Sequence, residues 1–163
     1  IVELGLQTAW DGTARRINRG HDWDTFLAGY EKLRSRGIPV CIHLINGLPG
    51  ETEEDMLATI RYLNHQDIQG IKLQLLHVLK HTDLAAYYGQ TGFHILSEDE
   101  YVDLVIRCLE VLSPDITIHR LTGDGPSDLL IAPLWSLKKR SVLNHIHHEL
   151  KVRDTWQGRL FTE

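Results

Sequence analysis

The chain is 163 residues long, 42% hydrophobic and 24% charged, the proportions of an ordinary globular unit long enough to enclose a core. Its formal net charge of -5 argues against a broadly basic nucleic-acid-binding surface, and no apolar run reaches the length of a membrane span. Two cysteines, Cys41 and Cys108, stand far apart. They imply neither a disulfide framework nor a closely spaced metal-ligand pair, and they fit a reducing cytoplasm.

The chain opens on Ile1-Val2-Glu3-Leu4-Gly5-Leu6, with no initiator Met, basic leader or cleavage site, as expected of a piece of a longer protein. Val2 to Gln7 alternates with period two: Val2, Leu4 and Leu6 on one face, Glu3, Gly5 and Gln7 on the other, which predicts a strand. A polar, charged stretch follows from Asp11 to Gly20. Trp23, Phe26, Leu27, Tyr30 and Leu33 then recur at helical spacing, with Gly37 closing the helix.

Pro39 to Ile45 reads as a second strand, broken by the turn Asn46-Gly47-Leu48-Pro49-Gly50. Thr52 is the expected N-cap of a helix with the stripe Met56, Leu57, Ile60 and Leu63. Ile71 to Val78 reads as a third strand. After a loop, Ser97-Glu98-Asp99-Glu100 forms a capping box, opening a helix striped by Tyr101, Leu104, Val105, Cys108, Leu109 and Leu112. A short strand over Ile116 to Arg120 and one or two helices, with Leu143, Ile146 and Leu150 on one face, complete the chain.

Strands alternating with helices through short connections make a parallel α/β fold with right-handed crossovers. Chemistry in such folds gathers at the C-terminal ends of the strands. Strands buried on both faces are almost wholly apolar, yet the first carries Glu3 and Gln7, the second His43, the third Lys72 and Gln74. Such groups are costly to bury unpaired. They predict a curved sheet whose concave face lines a solvated or ligand-filled lumen. The competing reading pairs Glu3 with Lys72 in a dry core. His77 and His81 flank the end of the third strand, where they could meet substrate or cap the barrel mouth. His145, His148 and Glu149 share one helical face, read as a solvated face ahead of a metal site.

Three segments in this order, Glu3-Leu4-Gly5-Leu6-Gln7-Thr8, Ile17-Asn18-Arg19-Gly20-His21 and Asn46-Gly47-Leu48-Pro49-Gly50-Glu51-Thr52, resemble the second half of the radical S-adenosylmethionine (SAM) barrel. They are most similar to the branch of the oxygen-independent coproporphyrinogen oxidases, methylthiotransferases and elongator catalytic subunit. Ile118-His119-Arg120-Leu121-Thr122-Gly123-Asp124 and Ala132-Pro133-Leu134-Trp135-Ser136 resemble the YhcC-type subgroup.

The resemblance implies the second half of a (β/α)6 partial TIM-type barrel over residues 1–112, with a C-terminal extension over 113–163 packed on the same unit. It implies SAM and a [4Fe–4S] cluster as cofactors, with the three cluster cysteines outside this chain. It also implies cleavage of SAM to a 5′-deoxyadenosyl radical that abstracts hydrogen from substrate. Gln7 matches the position that hydrogen-bonds the SAM ribose, Arg19 the one that pairs with the SAM carboxylate, His43 a second ribose contact and Ile45 the adenine cradle. Glu3, Lys72, Gln74 and His77 are the lumen candidates for substrate. The expected partners are the missing N-terminal half, a tRNA nucleoside or small molecule as substrate, and other chains through the exposed edge of the first strand. The isolated chain is expected to be inactive. The alternative is a standalone non-catalytic α/β domain that binds a nucleotide or a protein.

Overall fold

A computed structural model describes residues 1–162. Four parallel strands, β1 (Val2–Gln7), β2 (Val40–Asn46), β3 (Gly70–Leu75) and β5 (Thr117–Arg120), lie side by side in chain order. A short antiparallel pair, β4 (Val78–Leu79) and β6 (Leu130–Ala132), stands apart from them. The helices are α1 (Asp11–Arg16), α2 (Trp23–Arg34), α3 (Glu53–Asn64), α4 (Asp83–Thr91), α5 (Glu98–Val111) and α6 (Lys139–Val152). No helix is long and apolar enough to cross a membrane among the described residues.

The core forms between one face of the sheet and the helices. Leu6, Ile42, Leu44, Ile71 and Leu73 project from the strands onto Phe26 and Tyr30 of α2, Leu57, Ile60 and Leu63 of α3, and Val105 and Leu109 of α5. The helix starts follow the expected chemistry. The Thr52 side chain accepts from Asp55 N–H and the Ser97 side chain from Glu100 N–H, each in a reciprocal capping box. Asp22 caps α2 by accepting from Thr25 N–H.

The structure adds what periodicity does not show. The polar stretch after β1 contains the six-residue helix α1, and the loop after β4 contains α4, which buries none of its residues. The third strand ends at Leu75, short of Val78, which pairs separately in the two-stranded sheet. In α6 the buried positions are Val142 and Ile146, so its inward face is centred one residue before Leu143. Beyond residue 112, β5 extends the main sheet by pairing with β3, so the C-terminal region completes the arc as well as packing on it.

The second face of the sheet is polar. Glu3 reaches Lys72 Nζ at 2.7 Å and His43 Nε2 at 2.8 Å, and His43 Nδ1 lies 3.4 Å from the Gln74 amide. The Glu3–Lys72 couple forms, but Glu3 remains 48% exposed. The pair is solvated, not sealed in a dry core. The outer edge of β1 carries no neighbouring strand among the described residues.

Candidate functional site

At its C-terminal end β1 departs from regular geometry. Gln7 adopts φ 62°, and Thr8 N–H donates to the Leu6 carbonyl at 2.8 Å. A two-residue hydrogen bond closed around a positive φ is a γ-turn of the rare, strained kind. Such strain persists only where surrounding groups over-determine it, and it gathers at ligand clamps.

Arg19 supplies the restraint. Its side chain is 2% exposed. Nη1 donates to the carbonyls of Leu6 (2.7 Å) and Thr8 (2.6 Å), on either side of Gln7, and Nε donates to the His21 carbonyl at 2.8 Å. Nη2 lies 3.5 Å from Asp11 Oδ1 and has no hydrogen-bond partner. Burial lowers the pKa of Arg19, while Asp11 and Asp22 oppose that shift. Two of its three nitrogens are therefore committed to backbone. Arg19 is thus a clamp on the exit of β1, with Nη2 left over from the backbone bonds.

With its backbone turned, Gln7 folds its amide back over Gly5. A Cβ on Gly5 would stand 2.5 Å from Gln7 Nε2, so only glycine leaves room for this conformation. Gly5 is the register partner of His43. Gln7 and His43 thus share the polar face of the sheet, and Ile45 follows His43 by one pleat on the same side.

Further bonds tie the exit of β1 to that of β2. Thr8 Oγ1 donates to Glu51 Oε1 at 2.5 Å, Arg16 Nη1 to the Pro49 carbonyl at 2.7 Å, and Trp10 Nε1 to the Asp55 carbonyl at 2.9 Å. Burial raises the pKa of Glu51, against the hydrogen bond from Thr8. The Asn-Gly-Leu-Pro-Gly turn is thereby fixed relative to Gln7, and Glu51 and Arg16 tie the rim together in a way that the strand pattern alone does not reveal.

A cleft of about 510 Å³ opens at this rim, lined by the polar side chains of Gln7, Arg16 and Arg19 and by the apolar ones of Ile45, Leu48, Leu76, Leu84 and Tyr87. Its size and its mostly apolar wall with a few polar groups suit a small organic ligand. Gln7, Arg19 and Ile45 meet in this cleft. His43, Glu3, Lys72 and Gln74 form their own network further along the same polar face.

His77 is elsewhere. Its ring packs against the backbone of Gly123 and Gly125, where added Cβ atoms would stand 2.2 and 3.1 Å from it, and its Nε2 is buried without a partner. The chain leaves the sheet after Leu75, so His77 stands in the link between β3 and β4, beyond the strand alternation that Lys72 and Gln74 share. His145 Nδ1 donates to Glu98 Oε1 at 3.0 Å, and no group of three His, Cys, Asp or Glu side chains could hold a metal among the described residues.

Burial lowers the pKa of His77, with Asp124 opposing, and of His43, with Lys72 adding to the effect and Glu3 opposing. A histidine whose folded pKa lies below its ordinary 6.5 leaves the unfolded chain holding more protons, so stability falls with pH from that value downward. Glu51, shifted upward, works in the opposite sense. Denaturation midpoints are expected to drop between pH 7 and pH 5, and His77→Gln is expected to flatten that slope. An unchanged slope would show that His77 is as accessible to protons folded as unfolded.

Comparison with known proteins places this rim in a family. The Radical SAM C-terminal domain matches residues 68–152, and the Radical SAM superfamily matches residues 1–63. The chain belongs to the radical SAM family. YtqA of Bacillus subtilis, an uncharacterized protein, is 47% identical over 160 residues, covering 98% of this chain and 50% of its own length. YhcC of Escherichia coli is 36% identical over 134 residues, covering 82% of this chain and 43% of its own length. These two support the YhcC-type subgroup. Elp3 of the archaeon Methanocaldococcus infernus shares the fold, with a TM-score of 0.85 at 19% identity over 96% of this chain and 37% of that one. This chain spans about half the length of the curated relatives it matches.

The family's general cofactors are SAM and a [4Fe–4S] cluster. The cluster does not fit here. It needs closely spaced thiolates, whereas buried Cys41 sits in β2 and Cys108 lies in the helix-covered core with its thiol pKa pushed up to about 12 by burial. SAM fits better: the cleft has the volume, and the buried Arg19 Nη2 is a cationic donor without a hydrogen-bond partner.

Proposed function

We propose that the chain is the SAM-holding second half of a radical SAM barrel, and that the cleft is its half-site. The observation that carries this reading is the left-handed Gln7, clamped by Arg19 beside Ile45 in a single cleft at the strands' C-terminal rim. The Gln7 amide serves the ribose hydroxyls, and Ile45 packs on adenine. Arg19 fixes the turn and turns its remaining donor, with the help of Arg16, toward the carboxylate end. His43, held between Glu3 and Gln74, is a ribose neighbour.

The cluster belongs to an N-terminal half that docks on the free edge of β1, the edge otherwise available for self-association. Next to that cluster, bound SAM would be the source of a 5′-deoxyadenosyl radical for hydrogen abstraction, its sulfonium–carbon bond cleaved by one electron from the cluster with methionine as the leaving group. This chain's residues orient the nucleoside, exclude water from its apolar end and hold the polar floor of Glu3, Lys72 and Gln74 beneath substrate. By resemblance the substrate is a nucleoside of tRNA. The net charge of -5 favours a small molecule as the second reading.

Titration with S-adenosylhomocysteine tests the half-site. Gln7→Ala in the full-length protein is expected to weaken binding about tenfold, the loss of one or two hydrogen bonds. Arg15→Ala, on the exposed side of α1, is expected to leave it unchanged. Equal affinity of wild type and Gln7→Ala would remove Gln7 from the site.

A further inference from the structure

Helix α4 contributes nothing to the core, since none of its residues is buried, yet it forms a wall of the cleft. Leu84 and Tyr87 both line the cleft, and their three-residue spacing places them on one helix face. Tyr87 is 38% exposed. Its ring is braced from behind: Phe93 stacks on it at 5.7 Å and 28°, and Tyr88 meets Phe93 edge-on at 5.2 Å and 72°. Gly92, left-handed at φ 58°, turns the chain so that Phe93 reaches the helix it follows. A ring held on one face and open on the other is a stacking platform.

We propose that Tyr87 is the aromatic wall on which the adenine ring of a bound nucleoside stacks, opposite Ile45 and Leu48. This assignment rests on the reading of the cleft as the SAM half-site. The chemistry of the walls narrows the ligand. Ile45, Leu48, Leu76 and Leu84 offer apolar contact in the same cleft, so recognition of the base is by ring shape and area. Asp83 also lines the cleft, four residues before Tyr87 and so on the same helix face, and it repels an anion there, which selects a neutral nucleoside over a nucleotide. Arg16 and Arg19 line the same cleft from the segment that follows β1, and the ligand's carboxylate belongs with them. The cleft therefore reads its ligand as an adenosine with the negative charge carried away from the base.

The test uses 5′-methylthioadenosine, which keeps adenine and ribose and lacks the amino acid. It is titrated calorimetrically into the full-length protein and its variants. Tyr87→Ala is expected to weaken binding about tenfold, the usual worth of one stacked base, and Tyr87→Phe to stay within about twofold. Tyr87→Leu keeps a helix-forming, apolar side chain and is expected to lose as much as Tyr87→Ala. If Tyr87→Leu or Tyr87→Ala binds as wild type does while Gln7→Ala is weakened, Tyr87 is not a stacking wall and the half-site reading survives. If wild type binds no 5′-methylthioadenosine, or neither Gln7→Ala nor Tyr87→Ala weakens it, both the half-site and the stacking wall are overturned.

Discussion

Tyr101→Ala is expected to cost the fold about 4 kcal/mol, the upper range for truncating a buried aromatic ring. Tyr101 is wholly buried on α5 and joins three parts of the molecule. Its hydroxyl donates to the Leu121 carbonyl at 3.0 Å, just beyond β5, and lies 3.4 Å from the Leu73 carbonyl in β3. Its ring contacts Trp135 at 5.4 Å, and Trp135 Nε1 donates to the Leu96 carbonyl at 3.0 Å. Losing the ring opens a cavity and also releases the C-terminal segment from the sheet. Tyr101→Phe keeps the ring and leaves the Leu121 carbonyl without its donor, at about 1–2 kcal/mol. Urea denaturation separates the two, read as a shift of midpoint at constant slope. Equal losses for both variants would place the whole effect in the hydroxyl.

Tyr101 is also an example of what a sequence discloses. It heads a stripe at helical spacing behind a Ser-x-x-Glu box, and both signals arise because α5 packs one face on a sheet. The same holds for α2, α3 and the parallel strands, whose pattern is imposed by burial. Helix α4 escapes this logic. It buries no residue, so selection for a core leaves no stripe on it. Its only marks are the Thr82 cap and Gly92 at its end. Helix α1 is too short, at six residues, to show a period.

The candidate site divides along the same line. The alternation of β1, β2 and β3 puts Glu3, His43, Lys72 and Gln74 on one face, and the structure joins them in one network. Alternation says nothing of His77, which follows the end of β3 at Leu75. Arg16, Glu51 and Tyr87 were not singled out as ligand-facing, because their roles depend on contacts between loops. No spacing within one segment encodes that Glu51 meets Thr8, 43 residues away.

Arg19→Ala is expected to lower stability by about 3 kcal/mol and, with it, affinity for S-adenosylhomocysteine. The size follows from removing a buried, hydrogen-bonded charge whose partners cannot all be repaired. The carbonyls of Leu6, Thr8 and His21 lose their guanidinium donors, and Asp11 loses its ion pair. Leu6 keeps one bond from Thr8 N–H, but nothing then opposes relaxation of Gln7 out of its left-handed turn. Arg19→Lys is expected to recover little. A lysine's one nitrogen replaces at most Nη1, which serves the carbonyls on both sides of Gln7, and the Nε bond to the His21 carbonyl and the pairing of Nη2 with Asp11 are lost. The clamp and a pure ligand contact make different forecasts. A residue that only pairs with a bound carboxylate changes affinity and leaves the denaturation midpoint of the ligand-free protein where it was. A clamp shifts that midpoint without ligand, and Gln7→Ala in the Arg19→Ala background then adds little further loss of affinity, because the amide is already out of place. Such non-additivity in the double-mutant cycle marks two residues acting as one unit. Full additivity, with an unmoved midpoint, would return Arg19 to a direct contact with the ligand.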